Sequence, residues 1–161
     1  MIYKKNIKLL LVFMMTALFV DQVAKILIVK SLALFNPPTE IIGSLLRFKL
    51  TYNQHGVFGI SFGPNILYYV LSLVGAMVLI YIGLSLKDKT GVIIFGFIIG
   101  GAVGNVLDRI RLDYVVDFID MGIGNSRWFT YNLADAFITV GAVFLLTREL
   151  FHKKPANTAN P

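Results

Sequence analysis

The 161-residue chain is 57% hydrophobic and only 15% charged, with a mean hydropathy of +0.74; a soluble domain is about half apolar and about a quarter charged, so this is a membrane protein, of a length for one domain. With no cysteine it has no disulfide, thiolate or zinc-thiolate chemistry and no palmitoylation site. Its net charge of +6 sits in short clusters between apolar runs, which points to membrane lipids and not to nucleic acid as the partner.

The N-terminus, MIYKKNIKLLLVFMMTALFV, imitates a signal peptide, with lysines ahead of an apolar run. No small-x-small cleavage site follows. Asp21, Gln22 and Lys25 come next and ILIV resumes, so residues 9–29 are expected to form an uncleaved first span. A spanning helix needs roughly 20 mostly apolar residues. Beyond it, LRFKLTYN alternates Leu46, Phe48, Leu50 and Tyr52 with Arg47, Lys49, Thr51 and Asn53, the period of a half-buried strand. A QHG turn and VFGISF would complete a hairpin within a β segment at about 40–63. Its apolar face has no soluble core to meet, so it should lie on the membrane.

Residues 66–86 form an uncharged run and predict the second span. The third, 91–107, repeats Gly96, Gly100 and Gly104 every four residues, a seam that lets another helix pack closely. A connection from Asp108 to Arg127 carries Asp113, Asp117 and Asp120. Asp117 stands in VVDF, a run that favours extended backbone, whereas Asp113 and Asp120 look like solvated loop carboxylates. The fourth span is expected at 128–147. Residues 1–152 would form one integral domain, and 153–161 a disordered polar tail.

Cations mark the cytoplasmic side of short loops. Lys4, Lys5, Lys8, Lys87, Lys89, Arg148, Lys153 and Lys154 would share one side, against Lys30, Arg47, Lys49, Arg109, Arg111 and Arg127 on the other. Both termini are therefore expected inside. Asp21, Lys25, Asn105, Asp108, Arg109, Asn132 and Asp135 then all fall near the outer leaflet. Each has a bland explanation: Asp21 and Lys25 an i,i+4 pair, Arg109 a partner of the helix C-terminal dipole, Asn132 an N-cap and Asp135 a first-turn acid. Trp128 and Tyr131 suit interfacial anchors. Seven polar residues at one depth favour a site, because ionised groups within a bilayer are costly.

The two histidines, His55 and His152, fall on opposite sides of the membrane in this topology and so do not make a metal site. There is no G-x-S-x-G elbow and no phosphate loop. What remains is carboxylate chemistry. Two close acids cannot both ionise cheaply, so they share a proton; one can activate water while the other hydrogen-bonds a scissile carbonyl.

DQVAK at 21–25, Asn53, GGAVGNVLDR at 100–109, VVDF at 115–118 and YNLAD at 131–135 together resemble the lipoprotein signal peptidase (signal peptidase II) family over essentially the whole chain. The resemblance implies an all-α membrane protein of four transmembrane helices with a small extracytoplasmic β-hairpin or β-cradle. It also implies an aspartyl endopeptidase of the bacterial cytoplasmic membrane, monomeric, with no metal or organic cofactor. The substrates would be diacylglyceryl prolipoproteins, cut just before the lipidated cysteine. The family's catalytic pair falls on Asp117 and Asp135, and its supporting positions on Asp21, Lys25, Asn53, Asn105, Asp108, Arg109, Asn132 and Ala134. Arg109 and the asparagines would bind substrate backbone and orient the acids, and Ala134 would leave room beside Asp135. Two departures stand out: His55, Gly56, Val57 and Phe58 where the family has a Gly followed by A-A-F, and Tyr131 where Phe is common. A small proton-coupled transporter is the alternative, since intramembrane acids also make proton relays; a helix-packing scaffold built on the glycine seam is a third.

Overall fold

The structure, a computed structural model, describes residues 4–32, 37–55 and 63–152. Along these residues run α1 (Lys4–Ser31), β1 (Thr39–Ile42), β2 (Leu46–Asn53), α2 (Asn65–Ser85), α3 (Lys89–Leu112), β3 (Val115–Ile123), β4 (Ser126–Arg127) and α4 (Leu133–His152). Three stretches, Asn6–Ser31, Ile66–Ser85 and Lys89–Leu112, are long and apolar enough to cross a membrane. The 20-residue α4 contains Asp135, Arg148 and Glu149 and is not among them.

Helix α3 packs against all three other helices. The glycine seam is real and faces α1: a Cβ at Gly100 would strike the Met14 carbonyl oxygen, and one at Gly96 would lie 2.8 Å from the Phe13 Cβ. On the side toward α4, a Cβ at Gly101 would come within 2.5 Å of the Ala134 carbonyl oxygen. Phe97 then links the helices through its ring contacts with Phe13 at 5.2 Å and Phe137 at 5.5 Å. Large apolar side chains such as Phe19, Leu71, Tyr81, Val140 and Phe151 point outward. Small residues inside and large apolar ones outside suit helices that gain little from apolar association in lipid and associate through close packing.

The helices end against a four-stranded antiparallel sheet of order β1-β2-β3-β4. The alternation in LRFKLTYN does mark a strand, which pairs with β1 and β3; residues 56–62 of the expected hairpin, VFGISF among them, lie outside the described residues. Nor does the strand's apolar face lack a core. Leu50 is buried with Ile28, Val116, Phe118 and Ile119, with Leu46 and Phe48 packed around them, because the end of α1 stands beneath the sheet. Gly124, at φ +55, makes the tight β3–β4 turn, a conformation glycine adopts without steric cost.

Asp120 also departs from expectation. It is 3% exposed and held by Arg47 at 2.6 Å and Arg127 at 3.0 Å. Arg47 stands opposite it in the register, a cross-strand pair that a linear sequence does not reveal. Asp113 is exposed as expected; it closes α3 in the left-handed region, at φ 66, and accepts from the Tyr69 hydroxyl at 2.7 Å.

Candidate active site

Helix α4 begins at Leu133 and not at Trp128 because the preceding segment pairs with β3: Trp128 N–H donates to Met121 O, and Tyr131 O accepts from Phe118 and Ile119 N–H. Tyr131 thus fastens its neighbour Asn132 beside Asp117. Asn132 then caps the helix. Its Oδ1 accepts from Asp135 N–H at 2.9 Å while Asp135 Oδ2 accepts from Asn132 N–H at 3.3 Å, a reciprocal capping box with Asp in place of Glu. The same Asn132 donates through Nδ2 to Asp117 Oδ1 at 2.7 Å and to Asn105 Oδ1 at 3.2 Å.

Asp117 is 2% exposed. Its other oxygen accepts from Asn53 Nδ2 at 3.0 Å, which follows from the register: Thr51 stands opposite Asp117 and Asn53 two residues further on, hence on the same face. Asn105 Nδ2 donates to Asp135 Oδ1 at 2.8 Å. Each acid therefore has two N–H donors, and Asn132 touches both. Burial, reinforced by the nearby Asp135 charge and only partly offset by the Asn53 and Asn132 hydrogen bonds, pushes the Asp117 carboxyl up to about 7.

Lys25 organises the floor. Its ammonium reaches Asp21 Oδ2 at 2.7 Å, Asp108 Oδ2 at 2.8 Å and Asn105 Oδ1 at 3.1 Å, which occupies all three of its donors. Asp21 Oδ1 accepts from Ala134 N–H at 2.9 Å, and Asp108 Oδ2 from Val116 N–H at 3.2 Å. Through these bonds α1 and α3 grip the start of α4 and β3, the elements that bear the two acids. Gly104 belongs here too, since a Cβ there would come within 2.8 Å of Asp21 Oδ2.

All the sequence-derived residues converge, but two stand differently from their expected surroundings. Arg109 bonds the carbonyls of Asn105 at 3.3 Å and His55 at 3.1 Å, and so holds the end of β2 against α3. Ala134 is wholly buried, with its carbonyl against Gly101; its smallness serves helix packing. Gln22 was missed. It donates to Asp108 Oδ1 at 2.9 Å and also reaches Asp21 and Gly104, and its signal was a lone amide between Asp21 and Lys25 in an apolar run. His55, which is not among the expected site residues, donates its N–H to Asn53 Oδ1 at 2.9 Å and so aims the Asn53 amide at Asp117.

The family model described as Signal peptidase (SPase) II matches residues 13–151. The lipoprotein signal peptidase of Francisella tularensis subsp. novicida is 38% identical over 120 residues, which cover 70% of this chain and 74% of that protein. That of Thermodesulfovibrio yellowstonii is 33% identical over 152 residues, covering 92% and 96%, and that of Pelagibacter ubique 34% over 160 residues, covering 97% and 96%. Two solved structures described as bacterial membrane enzymes share the fold. One has a TM-score of 0.79 at 23% identity, covering 94% of this chain and 93% of its own; the other has 0.73 at 24%, covering 90% and 94%. The chain belongs to the signal peptidase II family and is an integral membrane peptidase.

Proposed function

We propose that this protein removes signal peptides from diacylglyceryl-modified prolipoproteins, cutting just before the lipidated cysteine, with Asp117 and Asp135 as an aspartyl dyad. The observation that carries this is the Asn132 bridge between the two carboxylates: its Nδ2 donates to Asp117 Oδ1 at 2.7 Å and its backbone N–H to Asp135 Oδ2 at 3.3 Å. In this mechanism Asp117 holds a proton and donates a hydrogen bond to the scissile carbonyl oxygen. Ionised Asp135 takes a proton from water as the water oxygen attacks the carbonyl carbon. Collapse of the tetrahedral intermediate breaks the C–N bond, and the cysteine amine leaves with a proton returned by the dyad.

Four spans, both termini cytoplasmic and a site near the outer leaflet complete the proposal. It is supported by the outward apolar face of α4, which includes Val140, Val143, Phe144, Leu146 and Leu150. It also fits that one chain supplies every site residue, as a monomer requires. The charged groups gather at one end of the helices instead of at mid-span, which disfavours a proton-coupled transporter.

The test uses nanodisc-embedded protein and a synthetic diacylglyceryl prolipoprotein, following release of the signal peptide. Asp117→Asn and Asp135→Asn should each lower the rate by roughly 10²–10⁴-fold, the range for loss of a general acid or base. Wild-type rates in either folded variant would end the dyad assignment.

A further inference from the structure

Far from the acids, α4 ends on a charge that the fold does not use. Glu149 lies in the last turn of the helix, where the dipole disfavours a negative group. It is exposed and joins none of the ion pairs among the described residues. The other acid at that end, Asp88, is occupied: it accepts from Gly91 N–H at 2.7 Å and pairs with Arg148 at 2.6 Å.

Asp135, Ile138, Ala142, Leu145 and Glu149 follow one another at spacings of three and four, so they share one face of α4. That face borders a furrow. Helices α2 and α4 each pack against α3, yet no substantial packing joins them to each other among the described residues. Consecutive residues of α3 reach the two walls: a Cβ at Gly141 of α4 would lie 2.6 Å from Ile98, and one at Gly83 of α2 would lie 2.9 Å from Ile99. Ala102, a turn beyond both, stands half-buried between the walls. On α4, Phe137 turns toward α1 through its stack on Phe97, which also meets Phe13. Ile138, about 100° further round the helix, turns the other way, into the furrow.

We propose that this furrow holds the signal peptide as a helix, with its cleavage end at Asp135 and its cationic N-terminal region at Glu149. The inference rests on the peptidase reading above and names how that substrate is held. Length, polarity and charge select the occupant. Glu149 stands fourteen residues after Asp135, about 21 Å of helix, and the apolar segment of a signal peptide, of about 7–15 residues, covers up to that distance as a helix. The face between the two acids is apolar, as that segment is. Its far end carries an acid where a signal peptide carries lysines or arginines. A bilayer lipid, confined to one leaflet, reaches one of the two ends and not both.

The experiment compares prolipoproteins that differ only in carrying two lysines or two serines in the N-terminal region, cleaved in phosphatidylcholine nanodiscs, where no anionic headgroup competes for the lysines. The readout is the lysine-to-serine ratio of kcat/KM, taken within one preparation so that any unfolded fraction cancels. Glu149→Gln should lower the ratio about two- to fivefold, the range for an exposed ion pair, and Glu149→Lys should lower it further. Crosslinking reads the placement. The chain has no cysteine, so a benzophenone attached at Ala142→Cys should capture the signal peptide, and one at Val140→Cys, which faces outward, should not. Ratios that stay at the wild-type value in both Glu149 variants overturn the proposal, and so does capture at position 140 in place of 142. A wild type that cleaves none of the substrates, while position 142 still captures them, would defeat the peptidase reading and leave the docking face standing.

Discussion

Asn132 illustrates how a residue can be ordinary and functional at once. Its Oδ1 is a helix N-cap, as its sequence position predicts, while its Nδ2 serves Asp117. Asp135 is likewise both a first-turn acid and a partner in the capping box. The raised Asp117 value has two consequences. Cleavage requires the dyad's proton, so activity should fall as pH climbs through about 7. The Asn53 bond lowers the Asp117 value, so Asn53→Ala should move this alkaline limb to higher pH in a kcat/KM profile; an unmoved limb would break the link between Asn53 and Asp117 ionisation. The stability sign follows from the same value. Between the ordinary 3.8 and about 7 the unfolded chain loses its proton first, so stability declines over that window as pH rises. Thermal unfolding of Asp117→Asn should therefore show a higher Tm than wild type at pH 8, with the two converging at pH 4.

At the scale of elements, the helices were legible because an apolar run of spanning length has few alternatives. Their ends were less so. Residues 128–132 look like the start of a span, yet their backbone groups bond β3 and the cap, and pairing of that kind depends on a strand far away in sequence. Glycine context makes two opposite predictions. Gly100→Ala would drive a Cβ into the Met14 backbone and should cost about 1–3 kcal/mol by overpacking. Gly75→Ala meets nothing within 4 Å and should gain up to about 1 kcal/mol of helix propensity. Detergent thermal-shift assays should separate them in sign. In the sheet, Arg127 and Arg47 outweigh the effect of burial and hold the Asp120 carboxyl below its usual range; its stabilising contribution is present above pH 4 and lost as pH falls further. Asp120→Ala should cost about 3 kcal/mol, the low end for a broken buried pair because both arginines keep some solvent contact.

For the whole molecule, the proposed orientation has a direct check. The chain contains no cysteine, so single cysteines introduced at two exposed loop positions report without background. Asn125→Cys in the β3–β4 turn should react with an impermeant thiol reagent from outside intact cells, and Lys87→Cys should not; the reverse pattern would overturn the topology. Length, hydropathy and the positions of Asp21, Lys25, Asn105, Asp108, Asn132 and Asp135 were enough to determine that this is a membrane protein with a polar cluster at one end of its helices. Helix order and direction bring those residues to a common depth, and that much is encoded linearly. Tertiary structure alone decided what each polar atom does. It paired β2 with β3, which set Asn53 on Asp117 and Arg47 on Asp120, and it tied Tyr131 to β3, which brought Asn132 between the acids. The physical reason is that hydrogen bonds and ion pairs are short-ranged and directional. A sequence can place groups at the same level of a membrane, but only strand register and helix rotation bring them within 3 Å.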